Sequence, residues 1–105
     1  MTPETRAQIE DILQKHHVVV FMKGTKSFPQ CGFSARAVAA LQRVGAEFES
    51  CNVLLDPALR EGIKEFSSWP TIPQVYVDGK FVGGSDIVLE LLESGELAKL
   101  VAPKA

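Results

Sequence analysis

The apolar run Val18–Met22 constrains the fold of this chain more than any other stretch of the sequence. Three valines, a phenylalanine and a methionine follow one another without a polar residue, which is typical of a strand buried on both faces of a sheet. Such a strand needs covering layers above and below it. The run therefore predicts an α/β fold in which this first strand is central.

The rest of the chain supplies the helices and strands that such a fold needs. The predicted elements are a helix up to about residue 15, the strand at 18–22, a loop over 23–29, a helix from Cys31 to Gly45, a strand over 48–54, a helix opened by Asp56, strands over 74–77 and 80–82, and a helix after residue 86 with a short last one. Asp78-Gly79 between the last two strands is a strong signal for a tight hairpin turn. The order αβαβαββα predicts a four-stranded mixed sheet with helices on both faces, a thioredoxin-like architecture.

Length and composition favour one compact domain. The chain has 105 residues, of which 46% are hydrophobic, enough for a normal core. Because the formal net charge is −2 and the eleven basic residues are spread out, we expect no nucleic-acid partner. No apolar run approaches the roughly 20 residues that span a bilayer. Two cysteines are too few for a secreted disulfide scaffold. Because the first residues resemble no signal or transit peptide, we expect a cytoplasmic location, or an organelle matrix if a targeting segment has been removed.

Cys31 is the candidate reactive residue. It lies between the first strand and the following helix, where backbone N–H groups and the helix dipole lower the pKa of a thiol. Lys23, across the loop, also favours the thiolate. Redox proteins with two active-site cysteines place the second one three positions later, to resolve a mixed disulfide, but here that position is Ser34. The site has one thiol, so completed chemistry needs sulfur from elsewhere.

Each cysteine also has a simpler interpretation. Free cysteines are often small buried apolar residues, but Gly32 and Ser34 beside Cys31 disfavour that reading and indicate a functional thiol. Cys51 lies within a predicted strand and is interpreted as a core residue. A disulfide between Cys51 and Cys31 is the minority alternative.

Three basic residues are candidates for binding an anionic ligand near Cys31. Lys23 follows the first strand, and Arg60 and Lys64 lie four apart on one face of the predicted third helix. The alternative for the helical pair is a solvated face on which both residues pair with Glu61 and Glu65.

The later part of the chain offers backbone and helix-terminus binding groups. A cis Ile72–Pro73 bond would expose the N–H and C=O of Ile72 to an extended ligand, although few X–Pro bonds are cis. Ser85 stands at a helix N-terminus suited to a carboxylate, and Asp86 can accept from an ammonium group. The alternative for Ser85 is simple helix capping. Glutathione, an extended tripeptide with two carboxylates, one ammonium and a thiol, matches these features together.

The sequence strongly resembles the CGFS-type monothiol glutaredoxins. The matching blocks are Phe21-Met22-Lys23-Gly24-Thr25, Pro29-Gln30-Cys31-Gly32-Phe33-Ser34, Trp69-Pro70-Thr71-Ile72-Pro73-Gln74 and Gly83-Gly84-Ser85-Asp86-Ile87. They occur in the right order over most of the chain. The longer loop before Cys31 and the Trp69-Pro70 pair separate this class from dithiol glutaredoxins.

The resemblance implies a glutaredoxin fold with cis-Pro73, as a single domain over residues 1–105 with a core of about 4–102. It implies a [2Fe-2S] cluster that is bound through Cys31 and shared with a second subunit, and partnership with BolA-like proteins. The glutathione-binding residues that it implies are Lys23, Arg60, Ile72, Ser85 and Asp86. The family usually has cysteine at the position of Ser85, so the disulfide that this cysteine can form with the active-site one is excluded here.

Counting thiolates supports the same function. A [2Fe-2S] cluster usually takes four thiolates; two copies of Cys31 and two glutathione molecules supply them. We therefore expect a homodimer when the cluster is bound, a monomer without it, and transfer of the cluster to acceptor proteins. The alternative is a glutathione-dependent oxidoreductase in which Cys31 removes glutathione from protein mixed disulfides. Both readings need the same pocket, and the loop before Cys31 favours the carrier.

Overall fold

The structure, a computed structural model, describes residues 1–103 of the chain. The last two residues of the expected domain, 104 and 105, lie outside the described residues. The helices are α1 (Pro3–Lys15), α2 (Gly32–Arg43), α3 (Pro57–Ser67), α4 (Ser85–Ser94) and α5 (Glu96–Val101), and a 3₁₀ turn covers Val53–Leu55. The strands are β1 (Val18–Met22), β2 (Gly24–Thr25), β3 (Phe28–Pro29), β4 (Glu49–Asn52), β5 (Gln74–Val77) and β6 (Lys80–Gly83).

The main sheet has the strand order β4-β1-β5-β6, which confirms the predicted mixed sheet with β1 inside it. β1 runs parallel to β4 and antiparallel to β5, and β5 forms a hairpin with β6. The turn of that hairpin has positive φ at Asp78 (53°) and Gly79 (76°), the backbone that a tight two-residue hairpin turn requires.

All five residues of β1 are buried, and alternate side chains enter two separate cores. Val18, Val20 and Met22 pack with apolar residues of α2, α4 and α5. Val19 and Phe21 pack on the other face with residues of α1 and α3. The helices therefore cover both faces of the sheet, as the unbroken apolar run predicts.

The pairing register places the last residues of β1 and β4 and the first residue of β5 at the same end of the sheet. Met22, the last residue of β1, lies beside Asn52 at the end of β4, and Phe21 lies opposite Gln74 at the start of β5. The chain leaves β1 at this edge toward Cys31. Among the described residues, no helix is long and apolar enough to cross a membrane.

Two stretches differ from the predicted elements. The strand predicted over 48–54 is limited to Glu49–Asn52, because the Asn52 side chain accepts a hydrogen bond from the Leu54 N–H and starts a 3₁₀ turn. The loop predicted over 23–29 contains the small antiparallel pair β2–β3. Its turn is closed by the Thr25 hydroxyl, which accepts from the Phe28 N–H at 3.1 Å.

Candidate functional site

Cys31 lies at the N-cap of α2, directly in front of the first helical residue, and is partly exposed. The main cause that lowers the pKa of its thiol is a hydrogen bond from the Ser34 backbone N–H. Burial, the second-largest effect, opposes this shift, while the Phe33 N–H, the charge of Lys23 and the Ser34 hydroxyl each lower the pKa further. The structure thus places Cys31 where sequence reasoning expects a thiolate.

Ser34 does more than leave the resolving position without a thiol. Its side chain is fully buried, and its hydroxyl accepts a hydrogen bond from the Lys23 N–H at 3.1 Å. The Gln30 N–H in turn donates to the Lys23 carbonyl at 2.9 Å. Ser34 therefore joins the end of β1 to the start of α2 and fixes the loop that carries Cys31. Sequence reasoning missed this role, since a serine in the first turn of a helix gives no sign of the direction of its hydroxyl.

The β2–β3 hairpin is held against β4 by two side chains of that strand and by the backbone carbonyl of Phe48, the residue before it. The Gly24 N–H donates to Asn52 Oδ1 at 3.0 Å, and the Lys26 N–H donates to the Ser50 hydroxyl at 3.3 Å. Lys26 Nζ also donates to the Phe48 carbonyl at 2.7 Å. These bonds make the segment before Cys31 an ordered part of the site.

A groove of about 450 Å³ adjoins the start of α2. Its lining residues are Phe33, Trp69, Thr71, Ile72, Pro73, Gly84, Ser85, Asp86 and Ile87. Three of the expected glutathione-binding residues, Ile72, Ser85 and Asp86, are thus brought together. Phe33, two residues after Cys31, connects the groove to the thiol.

The groove presents polar groups that match the sequence-based expectations. The Ile72–Pro73 peptide bond is cis, and no other backbone group within residues 1–103 pairs with the N–H or C=O of Ile72. Gly84, not Ser85, is the N-cap residue of α4, so the capping alternative for Ser85 is wrong. No side chain caps this terminus, and its first residues, Ser85 and Asp86, line the groove, so the N–H groups at the start of α4 are available to a ligand there.

Lys23 and Arg60 have no carboxylate within ion-pair distance in the part of the chain that the structure describes. The buried Nε of Arg60 also lacks a hydrogen-bond partner there. Lys64, in contrast, pairs with Glu61 at 3.1 Å, so the solvated-face interpretation holds for Lys64 and not for Arg60. Lys23 acts on Cys31 through its charge. Neither Lys23 nor Arg60 lines the groove.

Cys51 faces a different environment from that of Cys31. It stands beside Phe21 in the β1–β4 pairing and packs against the core formed with α1 and α3. Burial, with a smaller effect of Glu49, raises the pKa of its thiol to about 11. Both cysteines are free thiols, and the core interpretation of Cys51 is confirmed.

A second cleft, of about 620 Å³, lies at the opposite end of the sheet. It is lined by residues around the amino ends of β1 and β4, among them His16, His17 and Glu49, and contains no thiol. Although this cleft is larger, the candidate site is the groove beside Cys31, because it combines a nearby thiol of lowered pKa with backbone groups that have no partner among residues 1–103. No cluster of three metal-binding side chains occurs in residues 1–103.

A central strand, a cysteine at the N-terminus of the next helix and a cis-proline at the start of the following antiparallel strand define the class of thioredoxin-like thiol proteins. Residues 18–82 match the glutaredoxin family model. A ycf64-like monothiol glutaredoxin of Synechocystis sp. is 55% identical over 96% of this chain and 94% of its own length. Monothiol glutaredoxin-5, mitochondrial, of Saccharomyces cerevisiae is 52% identical, over 96% of this chain and 69% of its own.

Solved structures agree with these sequence matches. Reduced apo GrxS14 from poplar, solved in solution, superposes with a TM-score of 0.83 at 52% identity, over 93% of this chain and 90% of the poplar chain. The chain therefore belongs to the glutaredoxin family, among the monothiol glutaredoxins.

Proposed function

We propose that two copies of this chain bind one [2Fe-2S] cluster through Cys31 of each copy and two glutathione molecules, and that the protein transfers the cluster to acceptor proteins. The observation that carries the proposal is the single thiol with a lowered pKa beside a groove suited to glutathione. Metal-bound cysteine must be a thiolate, which the environment of Cys31 favours. Glutathione binding itself is a property of the glutaredoxin family.

Five residues, three that line the groove and two cations outside it, would each bind a different part of glutathione. In this proposal, the backbone of Ile72 pairs with the extended tripeptide, and the α4 N-terminus at Ser85 binds one carboxylate. Asp86 accepts from the ammonium group. Lys23 and Arg60, which have no internal carboxylate partner among the described residues, bind the remaining negative charge.

The surroundings of Cys31 fit a ligand set completed from outside the chain. Cys31 supplies one thiolate of the four that a [2Fe-2S] cluster usually takes. A Cβ added at Gly32 would have no atom within 4 Å, so the space beside the thiol is open. The cluster, when bound, is the cargo that the protein passes on. Two of its four ligands would be exchangeable glutathione, which suits release to an acceptor.

Exposed apolar side chains near Cys31 support the dimeric part of the proposal. Phe28 is 75% exposed and Phe33 54%, and both lie within three residues of Cys31. Asn52 Oδ1 accepts from both the Gly24 and the Leu54 N–H groups, so the 3₁₀ turn adjoins the hairpin that carries Phe28. Large exposed apolar side chains around a site favour a protein partner there.

Three further parts of the proposal concern the protein as a whole. Residues 1–105 act as a single glutaredoxin domain, in the cytoplasm or an organelle matrix. The chain without cluster is a monomer. A BolA-like protein is a second partner, besides the acceptor proteins.

The lowered pKa of the Cys31 thiol also favours a second function, glutathione-dependent reduction of mixed disulfides. The Cys31 thiolate would attack the glutathione sulfur of a glutathionylated protein, forming a Cys31–glutathione disulfide and releasing the protein thiolate. A second glutathione thiolate would then attack this disulfide, releasing oxidised glutathione and restoring Cys31. Turnover of a small glutathione mixed disulfide at the rate of a dithiol glutaredoxin would place this function first.

The proposal is tested by anaerobic reconstitution with iron, sulfide and glutathione, followed by visible absorption and gel filtration. We expect a coloured dimer that requires glutathione, a colourless monomer for Cys31→Ser, and an unchanged coloured dimer for Cys51→Ser. A colourless monomer from the wild-type chain under these conditions would overturn the proposal.

A further inference from the structure

We infer that Gln74 is a positioning residue for glutathione, because its buried side-chain amide holds the bend that carries Ile72 into the groove. The inference rests on the proposed glutathione binding and assigns part of it to a residue that does not line the groove. Gln74 is the first residue of β5 and is 0% exposed.

The nitrogen of the Gln74 amide bonds to the segment before it, and the oxygen bonds to a residue after it. Its Nε2 donates to the Trp69 carbonyl at 3.1 Å and to the Thr71 carbonyl at 3.3 Å. Its Oε1 accepts from the Tyr76 hydroxyl at 3.2 Å. Two carbonyls can only accept, so this network also determines which end of the amide is nitrogen.

Among residues 1–103, the Gln74 amide makes the only hydrogen bonds to the carbonyls of the bend at residues 69–72. The Trp69 N–H is bound to the end of α3, through the Lys64 carbonyl at 3.1 Å and the Ser67 hydroxyl at 3.1 Å. Beyond that point Pro70 has no N–H, and no backbone N–H in residues 1–103 donates to the Trp69 or Thr71 carbonyl. The Gln74 amide is therefore what draws these two carbonyls inward.

On its other side, the Gln74 amide bonds to a buried tyrosine that is packed among aromatic rings. Tyr76 is 1% exposed and contacts the rings of Phe21, Phe66 and Phe81, with centroids 5.5, 6.2 and 5.5 Å away. Phe81 in turn contacts the Trp69 ring at 5.6 Å. Gln74 thus ties the groove wall to a buried, packed aromatic cluster.

The hydrogen bond from Gln74 to the Thr71 carbonyl determines how the backbone of Ile72 is presented to the groove. Ile72 follows Thr71 directly and precedes Pro73, and all three line the groove. If the Thr71 carbonyl loses its partner, the peptide group that presents the Ile72 N–H is free to rotate. A ligand that pairs with the Ile72 backbone would then meet the correct geometry only part of the time, which weakens its apparent affinity.

The test compares Gln74→Met, which removes the whole amide at similar size, with Tyr76→Phe, which removes the hydroxyl that bonds to Oε1 and also interacts with Ser67, but leaves both Nε2 bonds in place. Urea unfolding first identifies conditions in which all proteins are folded. Binding of reduced glutathione is then measured by calorimetry, and the emission of Trp69, the only tryptophan in the chain, reports the bend. If Gln74→Met does not fold, Gln74→Glu replaces it; its protonated carboxyl can donate only one of the two bonds.

We expect Gln74→Met to weaken glutathione binding at least about tenfold and to shift the Trp69 emission of the free protein. Tyr76→Phe, although destabilised, should bind within about twofold of wild type and keep the wild-type emission. Wild-type affinity in a folded Gln74 variant, or equal losses in Tyr76→Phe, would overturn the positioning role alone. Absence of glutathione binding by the wild-type chain would instead overturn the proposed function and, with it, this inference.

Discussion

Cys31 and Cys51 should differ strongly in their reaction with iodoacetamide. Hydrogen bonds from the start of α2 and the charge of Lys23 lower the pKa of the Cys31 thiol. Burial raises the pKa of the Cys51 thiol to about 11. Because the thiolate is the nucleophile, a lowered pKa moves the rise in alkylation rate to lower pH and a raised pKa moves it to higher pH.

The expected difference follows from the two pKa shifts. At pH 7, a thiol of pKa about 11 is ionised to about one part in 10⁴, and one of pKa below 9 to more than about one part in 100. The weaker nucleophilicity of the more acidic thiolate offsets this hundredfold advantage by about tenfold, for a Brønsted coefficient near 0.4–0.5. Cys31 should therefore react at least about ten times faster than Cys51, before its greater accessibility is counted.

Timed labelling from pH 5 to 10, with peptide mass mapping, measures both rates in one sample. The rate for Cys31 should level off below pH 9, whereas that for Cys51 should still be rising at pH 10. Cys31→Ser and Cys51→Ser serve as controls that assign each rate. Equal rates at pH 7, or a Cys31 rate that keeps rising tenfold per pH unit above pH 9, would refute the reasoning.

Three further predictions test the loop, the cations and the apolar surface. Gly24→Ala should lower the free energy of unfolding by at least about 1–3 kcal/mol, because φ is +92° and the new Cβ would lie 2.4 Å from the Phe28 carbonyl oxygen. The control is Gly45→Ala, which also has positive φ but whose new Cβ would have no atom within 4 Å. It should lower the free energy of unfolding by only about 1 kcal/mol. Equal urea midpoints for the two would contradict this. Lys23→Gln should raise the pH at which the active-site thiol is alkylated, whereas Lys64→Gln, whose ammonium is already paired, should not. Phe28→Ser should change the monomer's unfolding free energy by less than about 0.5 kcal/mol but lower the dimer fraction after reconstitution, measured by sedimentation; an unchanged fraction would exclude Phe28 from the interface.

Much of the fold was predictable because its signals are local. The apolar run of β1 specifies a strand buried on both faces, and Asp78-Gly79 specifies the hairpin turn. The β2–β3 pair was not predictable. Strands of two residues show no periodicity, and this pair depends on distant partners such as Asn52.

The candidate site divides in the same way. The position of Cys31 at a helix N-terminus follows from chain order, but the direction of a buried polar side chain does not. Ser34 and Gln74 are both fully buried, and each bonds to backbone that only the tertiary structure brings near. Sequence reasoning treats Arg60 and Lys64 alike, but of the two only Lys64 forms a pair within residues 1–103, with Glu61 three residues before it; Glu61 directly follows Arg60 and so does not share its face of the helix.

The central claim, a cluster shared between two copies of Cys31, is tested most directly by native mass spectrometry of the anaerobically reconstituted protein. We expect one species whose mass equals two chains, one [2Fe-2S] cluster and two glutathione molecules, and we expect Cys31→Ser to lack it. A cluster bound to one chain, or retained by Cys31→Ser, would contradict it.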